Sequence, residues 1–188
     1  IAKGIPLNVR NTFDPSNEGT YIAVTKGTSG NVVEGIAHKD GFTIIYLEKI
    51  GMNEETGYLS RLLNIFSKGG VSVDQITTSV DSVAIAIANG HEKIDTIRDR
   101  IIKSRLVDNP DGIDIAYNRS LVCVVGEGMR HTVGVLQGLS SALSAVEINI
   151  ETIFQGPSER NVIFGVRQEN AVTAIQAIYN LYFPKPGK

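Results

Sequence analysis

The sequence holds a single cysteine, Cys123, so no intrachain disulfide can form and a reducing, cytoplasmic setting fits. It lacks a basic excess. Its 18 Lys and Arg stand against 20 Asp and Glu, a net charge of -2, which argues against the electrostatic footprint of a nucleic-acid binder. It lacks any apolar run long enough to span a membrane; the densest, residues 83–88 and 121–125, are strand-sized. It has only three histidines, scattered like the cysteine, which speaks against a zinc cage or other metal site. An initial Met is also missing. The opening Ile1-Ala2-Lys3-Gly4 has no charged start and no long apolar stretch, so it is not a signal peptide, and the chain reads as a piece of a longer polypeptide. What remains is ordinary globular material: 188 residues, 42% hydrophobic and 20% charged, enough for one medium domain or two small ones.

Residues 1–30 differ from the rest. Residues 5–10 alternate like a short strand, 11–19 carry turn chemistry, 20–24 suggest another strand, and 26–31 a linker. A regular order follows. Strands are expected at 32–37, 42–47, 71–76, 83–88 and 113–117. A helix is expected from Tyr58 to Phe66, stopped by Gly69-Gly70, and another through Ile94, Ile97, Ile101 and Ile102. From residue 42 on this is β-α-β-β-α-β, the split βαβ unit.

The same order then repeats at one constant offset. Gly51-Met52 matches Gly128-Met129, Gly57-Tyr58-Leu59 matches Gly134-Val135-Leu136, and Leu62 and Phe66 match Leu139 and Leu143. Val71-Ser72-Val73-Asp74 matches Ile148-Asn149-Ile150-Glu151. The turn at 156–161 is slightly longer, a strand follows at 162–166, and Ala171, Ile175, Ile178 and Leu181 mark the last helix. The second copy has no fourth strand of its own, which would leave a sheet face and edge uncovered. The strand at 32–37 is therefore expected to lie beside the second copy's strands, with the first copy inserted in the second.

No catalytic set emerges. His38, His91 and His131 sit in three contexts without a nucleophile to pair with. Cys123 lies in an apolar run and reads as a buried thiol. No GxxxxGK[ST] loop or strand-linked GxGxxG is present, and Gly126-Glu127-Gly128 reads as a loop leaving a strand. The junction Ile50-Gly51-Met52-Asn53-Glu54-Glu55-Thr56-Gly57-Tyr58 is more informative. Gly57 permits close approach, and free amides at a helix start attract a carboxylate. Asp74 on the facing strand can pair with an ammonium group. An anion pocket and a carboxylate a few ångströms apart suit a free amino acid. The bland alternative is that Gly57 eases packing, Asp74 is solvated, and Glu54 and Glu55 merely offset the helix dipole.

The repeated Gly-x-Leu helix start followed by the Ile/Val-x-Ile/Val-Asp/Glu strand resembles tandem ACT domains, the amino-acid-sensing modules. Val71-Ser72-Val73-Asp74-Gln75-Ile76-Thr77-Thr78-Ser79 with Ser82-Val83-Ala84-Ile85 is similar to the first ACT domain of aspartate kinases. Ile148-Asn149-Ile150-Glu151 with Gln155-Gly156-x-Ser158-Glu159-x-Asn161 is similar to their second. Gly4-Ile5-Pro6-Leu7-Asn8-Val9-Arg10-Asn11-Thr12-Phe13-x-Pro15 resembles the end of their catalytic domain.

The resemblance implies an α+β chain with two ferredoxin-like βαββαβ ACT domains, the first inserted within the second. Residues 1–30 would be the kinase tail and linker, 41–117 the first ACT domain, and 32–38 plus 118–183 the second. It implies a regulatory fragment, inactive alone, of an enzyme that uses ATP and magnesium to phosphorylate the aspartate side chain. The fragment itself would need no cofactor. Its partners would be its own kinase domain, a second copy and an amino-acid effector (lysine first, threonine second) bound at an ACT dimer interface for feedback inhibition. The matching effector positions are Met52, Glu55, Gly57, Tyr58, Leu59, Val73, Asp74, Ser79 and Val80. Glu55 and Val80 depart from lysine-sensitive relatives, which carry a small polar residue and Glu there; Asp81 adjoins the second. A free-standing ACT sensor acting on a separate enzyme is the alternative. An RNA-binding module of the same topology would need stacking aromatics and basic residues on its central strands, and those strands lack them.

Overall fold

The computed structural model describes residues 5–22, 30–88 and 91–183. The chain divides into two compact units at Asn31 and Val32. The first is a two-stranded hairpin, in which β1 (Leu7–Val9) pairs antiparallel with β2 (Thr20–Ile22). The intervening turn is held by its own side chains: Asn11 and Asn17 accept from the Phe13 and Gly19 amides, each within 3.0 Å. Residues 23 and 24 of the expected second strand, and 26–29 of the expected linker, lie outside the described residues.

The second unit runs β3 (Gly35–Glu48), α1 (Tyr58–Lys68), β4 (Gln75–Thr78), β5 (Ser82–Ile87), α2 (Ile94–Lys103), β6 (Ile113–Val125), α3 (Val135–Ser144), β7 (Thr152–Gln155), β8 (Asn161–Arg167) and α4 (Ala171–Tyr182). This is a ferredoxin-like mixture of helices and antiparallel strands, as the sequence leads one to expect. It forms one six-stranded sheet in the order β4-β5-β3-β6-β8-β7.

Two expectations change here. The strands expected at 32–37 and 42–47 are one long strand, β3, and those at 113–117 and 121–125 are another, β6. The register of the β3–β6 pair shifts around Phe42, and the backbone turns left-handed at Gly41 (φ 80°) and at Asn118 (φ 54°), 77 residues apart. These bulges bend the ladder without ending it. The Gly41 amide donates to Gln168 Oε1 at 3.2 Å, and His91 Nε2 lies 3.2 Å from its carbonyl oxygen, so equivalent residues of the two repeats hold one bend. Residues 35–39 pair with 121–125 of the second repeat, and Val33, just before the strand, is buried among the second repeat's apolar residues.

The strands expected at 71–76 and 148–153 also start later, at Gln75 and Thr152. The Val71 amide closes the α1 C-terminus on the Phe66 carbonyl, with Gly70 left-handed before it, and the Ile148 amide does the same on Leu143. These residues are taken by the helix cap and the core, so the ladder begins beyond them.

Three apolar cores result. One lies beneath α1 and α2 around Leu62, Phe66, Ile85 and Ile97. The second lies beneath α3 and α4 around Leu139, Leu143, Phe164 and Ile178. The third fills the opposite face of the sheet with Phe42, Ile44, Ala84, Ala86, Leu121 and Phe154. Burial on both faces explains the unbroken apolar run of β5. The sheet curls so that its two edges, β4 and β7, approach each other.

Candidate functional site

The loop from Lys49 to Gly57 is tied down at both flanks. The Gly51 amide donates to Asp81 Oδ1 at 2.7 Å, the Asn53 amide to the Val80 carbonyl at 3.3 Å, and the Ile50 amide to Asp108 Oδ2 at 3.0 Å. Lys49 Nζ reaches Asp108 Oδ1 at 2.9 Å and Glu55 Oε2 at 3.6 Å. The Lys49 ammonium and the Ile50 amide hold the Asp108 carboxyl below its usual range. Arg61, one turn into α1, pairs with Glu55 and donates to the Thr56 carbonyl at 3.1 Å.

This frame presents the start of α1. Gly57 is its N-cap in the left-handed region (φ 76°, ψ 11°), and no side chain caps the helix. The Tyr58 amide donates to the Glu55 carbonyl at 3.1 Å, and the neighbouring first-turn amides are left where a carboxylate can take them. They open on a pocket of about 350 Å³ lined by Met52, Asn53, Glu55, Thr56, Gly57, Tyr58, Leu59, Ser60, Thr78 and Ser79. The pocket offers amides and hydroxyls, which suit a ligand carboxylate, and its one carboxylate, Glu55, is already paired with Arg61 and Lys49. Among the described residues no group of acids, His and Cys could hold a metal ion.

Six of the nine candidate positions line this pocket: Met52, Glu55, Gly57, Tyr58, Leu59 and Ser79. Tyr58 is buried, and its hydroxyl donates to the Leu106 carbonyl at 2.7 Å, so it floors the pocket and locks the core. Three positions do not line it. Val73 packs against the first core. Val80 is exposed on a neighbouring cavity of about 520 Å³ with Lys49, Asp81 and Asp108. Asp74 is exposed just before β4, its Oδ2 accepting from the Ala88 amide at 2.8 Å, whereas Ser79 lies just past the other end. The expected closeness of carboxylate and amides is thus not found within one chain, because the strand's length, roughly 3.3 Å per residue, separates them. Asp81, adjacent to Val80, is committed to the Gly51 amide. Sequence reasoning passed over Asn53, Thr56, Ser60, Thr78 and Arg61; all but Thr78 sit within four residues of Gly57, and that proximity was the available signal.

The second repeat has the same backbone. Gly134 is the left-handed N-cap of α3 (φ 85°, ψ 0°), without a side-chain cap. Its pocket, about 310 Å³, includes Met129, Thr132, Val133, Gly134, Val135 and Leu136, with His131, Gln155 and Glu159. Glu151, equivalent to Asp74, is instead paired with Arg119, and Arg167 lies 3.9 Å away.

Residues 122–182 match the family model for the ACT domain. The chain is 35% identical over 182 residues to Aspartokinase 3 of Bacillus subtilis, covering 96% of this chain and 40% of that protein. Its structure resembles Clostridium acetobutylicum aspartate kinase with a TM-score of 0.88 at 39% identity, over 96% of this chain and 42% of that one. It also shares the fold of Escherichia coli aspartokinase III crystallised with lysine and aspartate, with a TM-score of 0.75 at 24% identity, over 97% of this chain and 40% of the other. The chain thus spans about two fifths of each relative. Among the described residues no helix is long and apolar enough to cross a membrane. The sequence and the fold lead to one conclusion: this chain is homologous to aspartokinases, with an ACT domain match over residues 122–182.

Proposed function

We propose that this chain is the regulatory part of a cytoplasmic aspartate kinase, and that its first repeat binds an end-product amino acid, lysine before threonine, for feedback inhibition. The observation that carries this reading is the pocket at the uncapped start of α1, on which six of the nine family-matched positions converge. In this reading the α-carboxylate takes the amides of Gly57 and Leu59, the Tyr58 amide being held by the Glu55 carbonyl, with Ser79 adding a hydroxyl and Met52 a buried apolar floor. The parent enzyme phosphorylates the aspartate side chain with ATP and magnesium in a region outside this chain, and the chain alone is inactive. Residues 41–117 form the first ACT domain, 32–38 with 118–183 the second, and 1–30 the kinase tail and linker.

The position of Asp74 calls for a second copy. Strand β4 forms a ladder only with β5 among the described residues, and its outer edge, though it approaches β7, is not paired with it. Antiparallel pairing of two β4 edges, with Ile76 of each opposite Thr77 of the other, brings Asp74 of one copy opposite Ser79 of its neighbour. The ammonium partner then comes from across the interface, and the nearby Val73 and Val80 become part of that seam. An effector seated there shifts activity only through its different affinity for the active and inactive arrangements of the dimer. That the Escherichia coli enzyme was crystallised with lysine favours lysine.

The test is calorimetric titration of this chain with lysine, threonine and methionine, repeated on Asp74→Ala. Saturable binding of lysine, lost in the variant, is expected. No binding of any of the three at millimolar concentration would overturn the sensor reading for this chain, and binding unchanged in Asp74→Ala would overturn the assigned ammonium partner.

A further inference from the structure

A second cavity of the first repeat lies away from the effector pocket, on the outer side of the helices. It is a groove of about 470 Å³ between α1 and α2, and Arg61, Lys68, Arg100 and Ser104 surround a floor of Ile65 and Leu106. No carboxylate lines it. Arg61 pairs with Glu55 from outside the groove, whereas no acidic partner engages Lys68 or Arg100 among the described residues. The exposed charges of Lys68 and Arg100 thus stand beside the groove without an acidic partner among the described residues.

The second repeat is an internal control. At the positions equivalent to Arg61, Lys68, Arg100 and Ser104 it carries Gly138, Ala145, Ala177 and Leu181. Its helices close on one another there: a β-carbon at Gly138 would lie 3.4 Å from Tyr182 Oη and 3.5 Å from Leu181 Cδ2. The same backbone thus accommodates a sealed helix pair, and in the first repeat the pair is left open and cationic. Helix packing alone does not call for three cations where small residues suffice.

We propose that this groove binds a small molecule carrying linked phosphates, such as a nucleotide. The Arg100 guanidinium matches phosphate oxygens in a forked, bidentate geometry, the Lys68 ammonium adds a point charge, and Arg61, already held by Glu55 and the Thr56 carbonyl, adds positive field at the rim. The apolar floor between the helices suits the flat face of a base, and the volume lies within the 300–1,000 Å³ range, roughly, of small-molecule sites. This site is separate from the effector pocket but shares Arg61 with the loop that frames it, because Arg61 also holds Glu55 and the Thr56 carbonyl.

The test is titration of the chain with magnesium-free ADP, pyrophosphate and inorganic phosphate at constant ionic strength, followed by calorimetry and by the amide resonances of α1 and α2. ADP and pyrophosphate are expected to bind saturably, one per chain, with inorganic phosphate far weaker. The variants Lys68→Gln and Arg100→Gln change exposed side chains and should keep the wild-type melting curve while weakening binding about tenfold each. ADP tighter than pyrophosphate assigns the floor to the base, and equal affinity assigns recognition to the phosphates alone; either supports the site. No saturable binding at millimolar concentration, or binding that both variants leave unchanged, overturns it.

Discussion

Met52 and Met129 are each 5% exposed beneath their loops, and Leu62 and Leu139 are both fully buried. Gly57 and Gly134 cap their helices in the same left-handed conformation. Up to this point the two repeats are one design. They part at Asp74 and Glu151. Asp74 is exposed and bound only to a backbone amide, whereas the Glu151 side chain is 13% exposed and paired with Arg119 of the same sheet. They part again at the helix grooves, cationic in the first repeat and sealed in the second. The difference teaches that one backbone can carry two arrangements of charge: Asp74 stays accessible in the first repeat, whereas Glu151 holds Arg119 of its own sheet in the second.

The largest effects should come from what the repeats share. Leu62→Ala and Leu139→Ala are each expected to cost about 2–5 kcal/mol by cavity formation, measured by urea denaturation. Because β3 and β6 run through both repeats, either variant should still unfold residues 32–183 in one transition. Two separate transitions would break the comparison into independent domains.

Next comes the carboxylate pair. Glu151→Gln removes a charge-assisted bond to a largely buried guanidinium and should cost about 1.5–3 kcal/mol. Asp74→Asn, at an exposed position, should stay within about 0.5 kcal/mol of wild type while losing effector binding. The same Glu151→Gln change should lower the Tyr46 phenol pKa, pushed up to about 12 by burial first and by the Glu151 carboxylate second. Ultraviolet titration of the tyrosines reads that shift.

The glycine pair follows. Alanine at a left-handed position costs about 1–2 kcal/mol, so Gly57→Ala and Gly134→Ala should lose similar stability. Only Gly57→Ala should also weaken effector binding.

The smallest effect is the latch at Asp108. Its carboxyl is held below the usual range by Lys49, so the latch contributes at pH values above the ordinary carboxylate pKa and is lost as pH falls through the lowered one. At the alkaline end, Lys49, raised by the same partner, keeps the latch until pH climbs through its raised pKa. The Ile50 amide resonance should report the acid limb, and Lys49→Met should move its midpoint upward.

Much of this was legible in the sequence. The constant spacing of Gly57 and Gly134, Leu62 and Leu139, and Val71 and Ile148 revealed two copies of one unit, because helix starts and core positions tolerate few residue types. The long strands were hidden, because Asp40-Gly41 and Asn118 look like turns when only local chemistry is read. They are bends inside a continuous ladder, visible once its partners across the sheet are known. The pocket loop around Gly57 was legible for the same local reason that Asp74 was misplaced. Sequence shows which residues a strand carries, but pairing decides which end meets the helix. Arg61, Lys68 and Arg100 lie far apart in the sequence and meet around one groove only once α1 and α2 pack together.

The central claim is that the first repeat binds an amino acid and the second does not. Amide chemical-shift mapping of the isotope-labelled chain with lysine tests it most directly. Saturating shifts confined to residues 52–60, 73–74 and 78–80 are expected, with residues 129–136 and 151–156 unmoved. Shifts of equal size in both repeats, or only in the second, would contradict it.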